Sequence, residues 1–101
     1  MDIGYSNKSL SEKLGIKDGV LVYFVSSKNE LEAIFPKLKS ILKKDGVLWV
    51  GWPKKTSKIA SDLDENIVIK EGLKNGLVDV KVIAVDENWS ALKFVYRLKD
   101  R

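Results

Sequence analysis

Two kinds of periodicity alternate along this chain. The run Val20-Leu21-Val22-Tyr23-Phe24-Val25 is apolar at every position and rich in β-branched and aromatic side chains, which predicts a strand covered on both faces. Val47-Leu48-Trp49-Val50-Gly51 predicts a second buried strand, and residues 78–85 a third. Residues 92–98 alternate, with Leu92, Phe94, Tyr96 and Leu98 on one face and Lys93 and Arg97 on the other, so they form a half-buried fourth strand. Between the strands, apolar residues recur at helical spacing. Ser9-Leu10-Ser11-Glu12 reads as a capping box opening a short helix that ends near Gly15. Ser27-Lys28-Asn29-Glu30 opens a longer helix that turns Leu31, Ile34, Phe35, Leu38, Ile41 and Leu42 inward. Pro36 predicts a kink or restart within it, and Asp45-Gly46 closes it. Asp62, Asp64 and Glu65 offer acids to the start of a third helix, which points Ile67, Val68 and Leu73 inward and stops at Asn75-Gly76.

The predicted order is α-β-α-β-α-β-β. Strands alternating with helices give parallel βαβ units. The five residues Asp86-Glu87-Asn88-Trp89-Ser90 leave room only for an antiparallel hairpin between the last two strands. The fold class is therefore α/β: one small, open, mixed four-stranded sheet with helices packed on it, in a single domain spanning residues 1–101.

Composition narrows the chemistry. Hydrophobic residues make up 45% and charged residues 32%, the balance of a globular chain with one thin core. No cysteine and no histidine are present, which removes disulfides, thiolate metal sites, and Ser-His-Asp and Cys-His catalysis. No apolar run approaches a membrane span, and the first residues lack the layout of a signal peptide, so the expectation is a cytoplasmic protein without membrane contact. The net charge of +4 is uneven: from Lys37 to Lys58 there are seven lysines against one acid, Asp45, which leaves the rest of the chain negative. Such a zone attracts anions, nucleic acid among them, or is simply a solvated helix face running into a polar loop.

Several stretches are similar to a bacterial domain-of-unknown-function family whose members read WVSWPKK and then VDxKVCAVDExWSGLK. They are Trp49-Val50-Gly51-Trp52-Pro53-Lys54-Lys55, Asp62-Leu63, Gly76-Leu77-Val78-Asp79-Val80-Lys81-Val82, Val85-Asp86-Glu87-Asn88-Trp89-Ser90 and Leu92-Lys93. Tyr5-Ser6 and Lys13-Leu14-Gly15-Ile16 resemble that family's N-terminal stretch. The family brings no established activity. Its elements in turn resemble the C-terminal half of a class I, Rossmann-like methyltransferase sheet, which implies the strand order 1-2-4-3 with the last strand antiparallel. The resemblance also implies a further strand and helix in longer relatives between the positions of Ile16 and Val20, where such folds hold a nucleoside cofactor. This chain runs nearly straight from one to the other and contains no GxGxxG or GxxxxGK[ST] turn, so no cofactor is expected, S-adenosylmethionine included.

In that order, the loops after the second and third strands converge at the carboxyl edge of the sheet, where open α/β sheets bind ligands. Lys54, Lys55 and Ser57 follow strand two; Asp86, Glu87 and Trp89 follow strand three. Gly51 lets the backbone pass closely, and Pro53 stops the ladder. One reading makes this edge structural: Trp49 in the core, Trp52 and Trp89 capping the sheet, and the lysines paired with the acids in a surface network. The other makes it an anion or ligand site, with Lys54 or Lys55 holding phosphate or carboxylate and Trp52 or Trp89 as a stacking wall. No metal site and no catalytic residue is assigned, and the balance leans against an enzyme. Three functions remain: a noncatalytic interaction or assembly domain, a nucleic-acid binder weak at most, and a reduced methyltransferase-like enzyme. The first leads. In the order 1-2-4-3 the uncharged run 20–25 is an edge strand with no lysine or proline to discourage pairing, so it is expected to be covered either by the N-terminal segment, residues 1–16, or by the same strand of a second chain; the short linker Lys17-Asp18-Gly19 favours the homodimer through that strand, with another protein partner left open.

Overall fold

The structure, a computed structural model, describes residues 19–101. The short helix expected at 9–15 lies outside the described residues. Over the remainder, β1 (Val20–Phe24), α1 (Lys28–Ile41), β2 (Val47–Pro53), α2 (Glu65–Lys74), β3 (Leu77–Ala84) and β4 (Trp89–Tyr96) follow in order, with a closing 3₁₀ turn at Leu98–Asp100. The strands form one sheet in the order β1-β2-β4-β3. β1 runs parallel to β2, and β4 is antiparallel to both of its neighbours. The α/β class, the mixed open sheet and the strand order are those expected.

Local chemistry sets the helix limits. The Ser27 hydroxyl accepts from the Glu30 amide at 3.1 Å and starts α1. The Glu30 carboxylate reaches back to the amide of Ser26 at 3.0 Å, one residue before the position a capping box specifies. α1 passes through Pro36 without the expected restart. The bond that proline removes is the one to the carbonyl of Glu32, an exposed residue, where its loss costs least. The helix stops at Ile41, before Asp45-Gly46, because Leu42 turns extended and enters the core. Ile41 is consequently 66% exposed and not inward. In α2, Asp64 caps the Ile67 amide at 2.9 Å, and Gly76 ends the helix at φ +86°, a conformation that glycine alone adopts without strain. Val68 and Gly72 face inward one turn apart, which rotates Leu73 outward, contrary to expectation.

Both described helices pack on one face of the sheet. Leu31, Phe35 and Leu38 of α1 and Val68 of α2 meet Leu48, Val50, Leu92 and Phe94 there, and the Phe35 and Phe94 rings pack edge to face at 5.4 Å. The other face carries a second cluster, in which Trp49, Val85 and Ala91 are buried and Val20, Val22, Phe24 and Trp89 are packed against them. Trp49 is core, as expected. β4 turns Leu92, Phe94 and Tyr96 inward but ends at Tyr96, so Leu98 falls in the 3₁₀ turn and is exposed.

The two sheet edges differ. β1 pairs with β2 residue for residue and is half-buried along its whole length, where cover on both faces was expected; it has one strand neighbour among the described residues. β3 carries a bulge: Asp79 pairs with Phe94 and Lys81 with Lys93, leaving Val80 as the extra residue.

Candidate functional site

The loops that follow β2 and β3 lie side by side at the carboxyl end of the sheet. Trp52 pairs with Ser90 and Pro53 with Trp89. β2 and its ladder end at Pro53, as expected, with one bond beyond them, from the Lys54 amide to the Asn88 carbonyl at 2.8 Å. The connection between β3 and β4 is residues 85–88, tightened by the Asp86 carboxylate, which accepts from the amides of Asn88 at 2.8 Å and Trp89 at 3.0 Å. Ser57 turns the Lys-rich loop: its hydroxyl donates to the Lys54 carbonyl at 2.8 Å and accepts from the Ile59 amide at 3.3 Å. Lys54, Lys55, Ser57, Asp86, Glu87 and Trp89 thus belong to one edge. Yet no ion pair joins Lys54 or Lys55 to Asp86 or Glu87 among the described residues, so the expected network is not formed. Asp86 is committed to its own turn, the ordinary role of an aspartate at such a position.

The two tryptophans do not make one wall. Paired residues of antiparallel strands share a face, and successive residues alternate. Trp52 therefore points to the helix side, where it is buried at 5% exposure in the main core. Trp89 points to the opposite side and packs edge-on to Phe24 at 5.3 Å. Gly51 makes that contact possible, because a Cβ there would overlap the Phe24 ring. The Gly51-Trp52-Pro53 run is thus a two-faced plug: Trp52 closes the helix-side core, while bare Gly51 lets Phe24 cross β2 toward Trp89.

Three features escaped the sequence. The Asp62 carboxylate accepts from the Lys28 amide at 2.8 Å, tying the loop after β2 to the start of α1 across the carboxyl end. Nothing local to Asp62 signals this, since its partner is distant in sequence. An open groove of about 270 Å³ runs between the helices, lined by Lys28, Glu32, Ile67, Lys70, Glu71 and Lys74. Finally, the basic zone is divided. Lys37, Lys39, Lys43 and Lys44 precede β2, whereas Lys54, Lys55 and Lys58 follow it. The seven residues of β2 put roughly 20 Å between Lys43 and Lys44 before it and Lys54 and Lys55 after it. Lys39 and Lys44 also have fixed work, their ammonium groups lying 5.6 and 5.0 Å from the centre of the Tyr96 ring.

No protein-family model matches this chain, and no curated protein does. Among the described residues no group of three acids could hold a metal ion, no buried side-chain polar atom lacks a partner, and no helix is long and apolar enough to cross a membrane.

Proposed function

We propose that this chain is a noncatalytic assembly domain that joins a second copy of itself through β1. One observation carries the reading: among the described residues β1 is a sheet edge without a charge, a proline or a bulge, while the opposite edge has two of these devices. Backbone geometry sharpens it. The Gly19 carbonyl and the Val25 amide both bond to β2, at 3.0 and 2.9 Å. Alternation along a parallel strand then aims the N–H and C=O of Val20, Val22 and Phe24 away from β2, toward a further strand. The resemblance to longer relatives, which implies a neighbouring strand at this edge, supports the same conclusion. That no recognised nucleic-acid-binding motif accompanies the lysines favours it over nucleic-acid binding. The WPKK and DENWS loops serve this domain by holding Phe24, and with it β1, on the sheet.

Light scattering across micromolar concentrations tests the proposal, read together with amide hydrogen exchange. A dimer mass with Val20, Val22 and Phe24 amides protected is expected. A monomer mass at every concentration, or a dimer in which those three amides exchange as open groups, overturns it.

A further inference from the structure

At the amino end of the sheet, opposite the WPKK and DENWS loops, three cationic side chains gather round Tyr96 and Gly76. The Lys39 ammonium lies 5.6 Å from the centre of the Tyr96 ring, and the Lys39 carbonyl accepts from the Tyr96 hydroxyl at 3.3 Å. The Lys44 ammonium lies 5.0 Å from the same ring centre and donates to the Asp100 carbonyl at 3.1 Å. Arg97 donates through Nε to the Gly76 carbonyl at 3.4 Å, and the Asp100 carboxylate stands 3.8 Å from that nitrogen. Neither lysine has an ion-pair partner among the described residues. We propose that this cluster is a site for a doubly charged phosphate group, free or carried as a monoester on a small molecule, bound over the α-carbon of Gly76 between Lys39 and Arg97.

Gly76 opens that place. A Cβ there would stand 3.3 Å from the Lys39 Nζ and 3.8 Å from the Arg97 Nη2, with no other residue as near. The two cations are therefore at most about 7 Å apart, a gap that one phosphate bridges with a charge-assisted hydrogen bond of about 2.8 Å to each. Both side chains are half-buried and already fixed by their contacts, so binding orders little that was free. Compensation of the helix ends accounts for part of the positive charge here and not for all of it. α1 and α2 both finish at this end of the sheet, each with about half a negative charge, and Asp100 supplies one more. Lys39 and Lys74, in the last turns of the two helices, together with Lys44 and Arg97 set four positive charges against them. The exposed pair Lys43 and Asp45 cancels. An excess of about two positive charges remains, which matches a phosphate dianion.

Titration of the full chain with inorganic phosphate at low salt, followed by amide chemical shifts, tests this. Saturable shifts centred on Lys39, Gly76 and Arg97 are expected, with a dissociation constant below about 1 mM. Lys39→Gln should weaken binding about tenfold, the worth of one charge-assisted hydrogen bond, and Lys39→Arg should restore it to within about threefold of the parent. Lys44→Gln, at an exposed residue that adds charge without contact, should weaken it about threefold. Lys54→Gln and Lys55→Gln, at the other end of the sheet, should leave it unchanged. Glycerol 3-phosphate then identifies the source: affinity equal to that of inorganic phosphate assigns the site to the free anion, and affinity about tenfold greater assigns it to a monoester, either result supporting the site. Shifts that never saturate and spread over the surface lysines, Lys54 and Lys55 included, overturn the proposal. So does a folded Lys39→Gln chain that binds within about twofold of the parent; if that variant does not fold, binding by Lys44→Gln equal to the parent's overturns it instead.

Discussion

β1 and β3 are the two edges of one small sheet, yet they are built on opposite principles. β3 breaks its own ladder at Val80 and sets Asp79 and Lys81, both exposed, on either side of the break. A strand approaching that edge meets a kinked backbone and charges of both signs. β1 keeps an unbroken register with β2 and offers five uncharged residues, all half-buried. Among the described residues one edge thus carries two protective devices and the other none. If β1 is the assembling edge proposed above, growth is directed to one side, and a two-fold pairing there closes on itself.

The sharpest way to break the comparison is Val22→Pro. The amide it removes points away from β2, so the substitution costs no hydrogen bond among the described residues, and edge strands tolerate proline on that side. In a dimer joined through β1 the change removes an outward amide from each copy. The expected outcome is the mass of a single chain across micromolar concentrations, with thermal stability per chain within about 1 kcal/mol of a parent held monomeric by dilution. A dimer that survives would show that β1 is not the edge in use.

Gly51→Ala comes next and attacks the seating of β1. The added methyl overlaps the Phe24 ring, which cannot retreat without losing Trp89. Overpacking of this kind costs about 1–3 kcal/mol. The loss should be local: amides that β1 donates to β2, such as Val25, should exchange faster, while those shared by β3 and β4 change little. Chemical denaturation read with hydrogen exchange checks both parts, and equal loosening at the two edges would contradict the role given to Gly51.

How far the sequence carried these conclusions depends on the range of the interaction. Element type and order were legible because apolar periodicity is local, and both caps that begin the helices, Ser27 and Asp64, stand in acid-containing signatures beside them. The edge status of β1 was legible once the order was known. Helix ends were read less well: Ile41, Leu73 and Leu98 continue an apolar pattern past the residue where the backbone turns, so pattern alone assigns them to the core. The candidate site was legible in position but not in chemistry. The neighbouring Lys54, Lys55, Asp86 and Glu87 suggested ion pairs, yet Asp86 had a nearer claim in its own turn. A one-residue alternation separated Trp52 from Trp89, which requires knowing the β2–β4 register. The bulge at Val80 leaves no mark in an alternating strand, and so the protected edge was invisible.

Asp86→Ala sharpens the comparison from the middle of the sheet, because Asp86 holds the β3–β4 turn beside β2 and touches neither free edge. Two amides lose their acceptor, at Asn88 and Trp89, and both can turn to water, so the cost should be about 1 kcal/mol. Thermal unfolding should register that loss while the dimer dissociation constant stays within about twofold of the parent. A large fall in dimer affinity would mean that the loop edge, not β1, contacts the partner.

The smallest effect is expected at the protected edge itself, from Lys81→Val. Lys81 stands directly opposite Lys93, a like-charge cross-strand pair that contributes nothing to folding and mildly opposes it. Removing one charge should leave stability unchanged or raise it by about 0.2–0.5 kcal/mol. If charge and bulge both guard β3, losing the charge alone leaves the kink at Val80 in place, and the chain should remain a dimer with no larger species below high micromolar concentration. Light scattering of Lys81→Val, alone and combined with Val22→Pro, separates the two devices. The combined variant should be monomeric, because a kinked edge is a poor template even without its charge. If it instead recovers a dimer as tight as the parent's, the charge at Lys81 was the whole of the protection, and β1 differs from β3 by a single side chain and not by the course of its backbone.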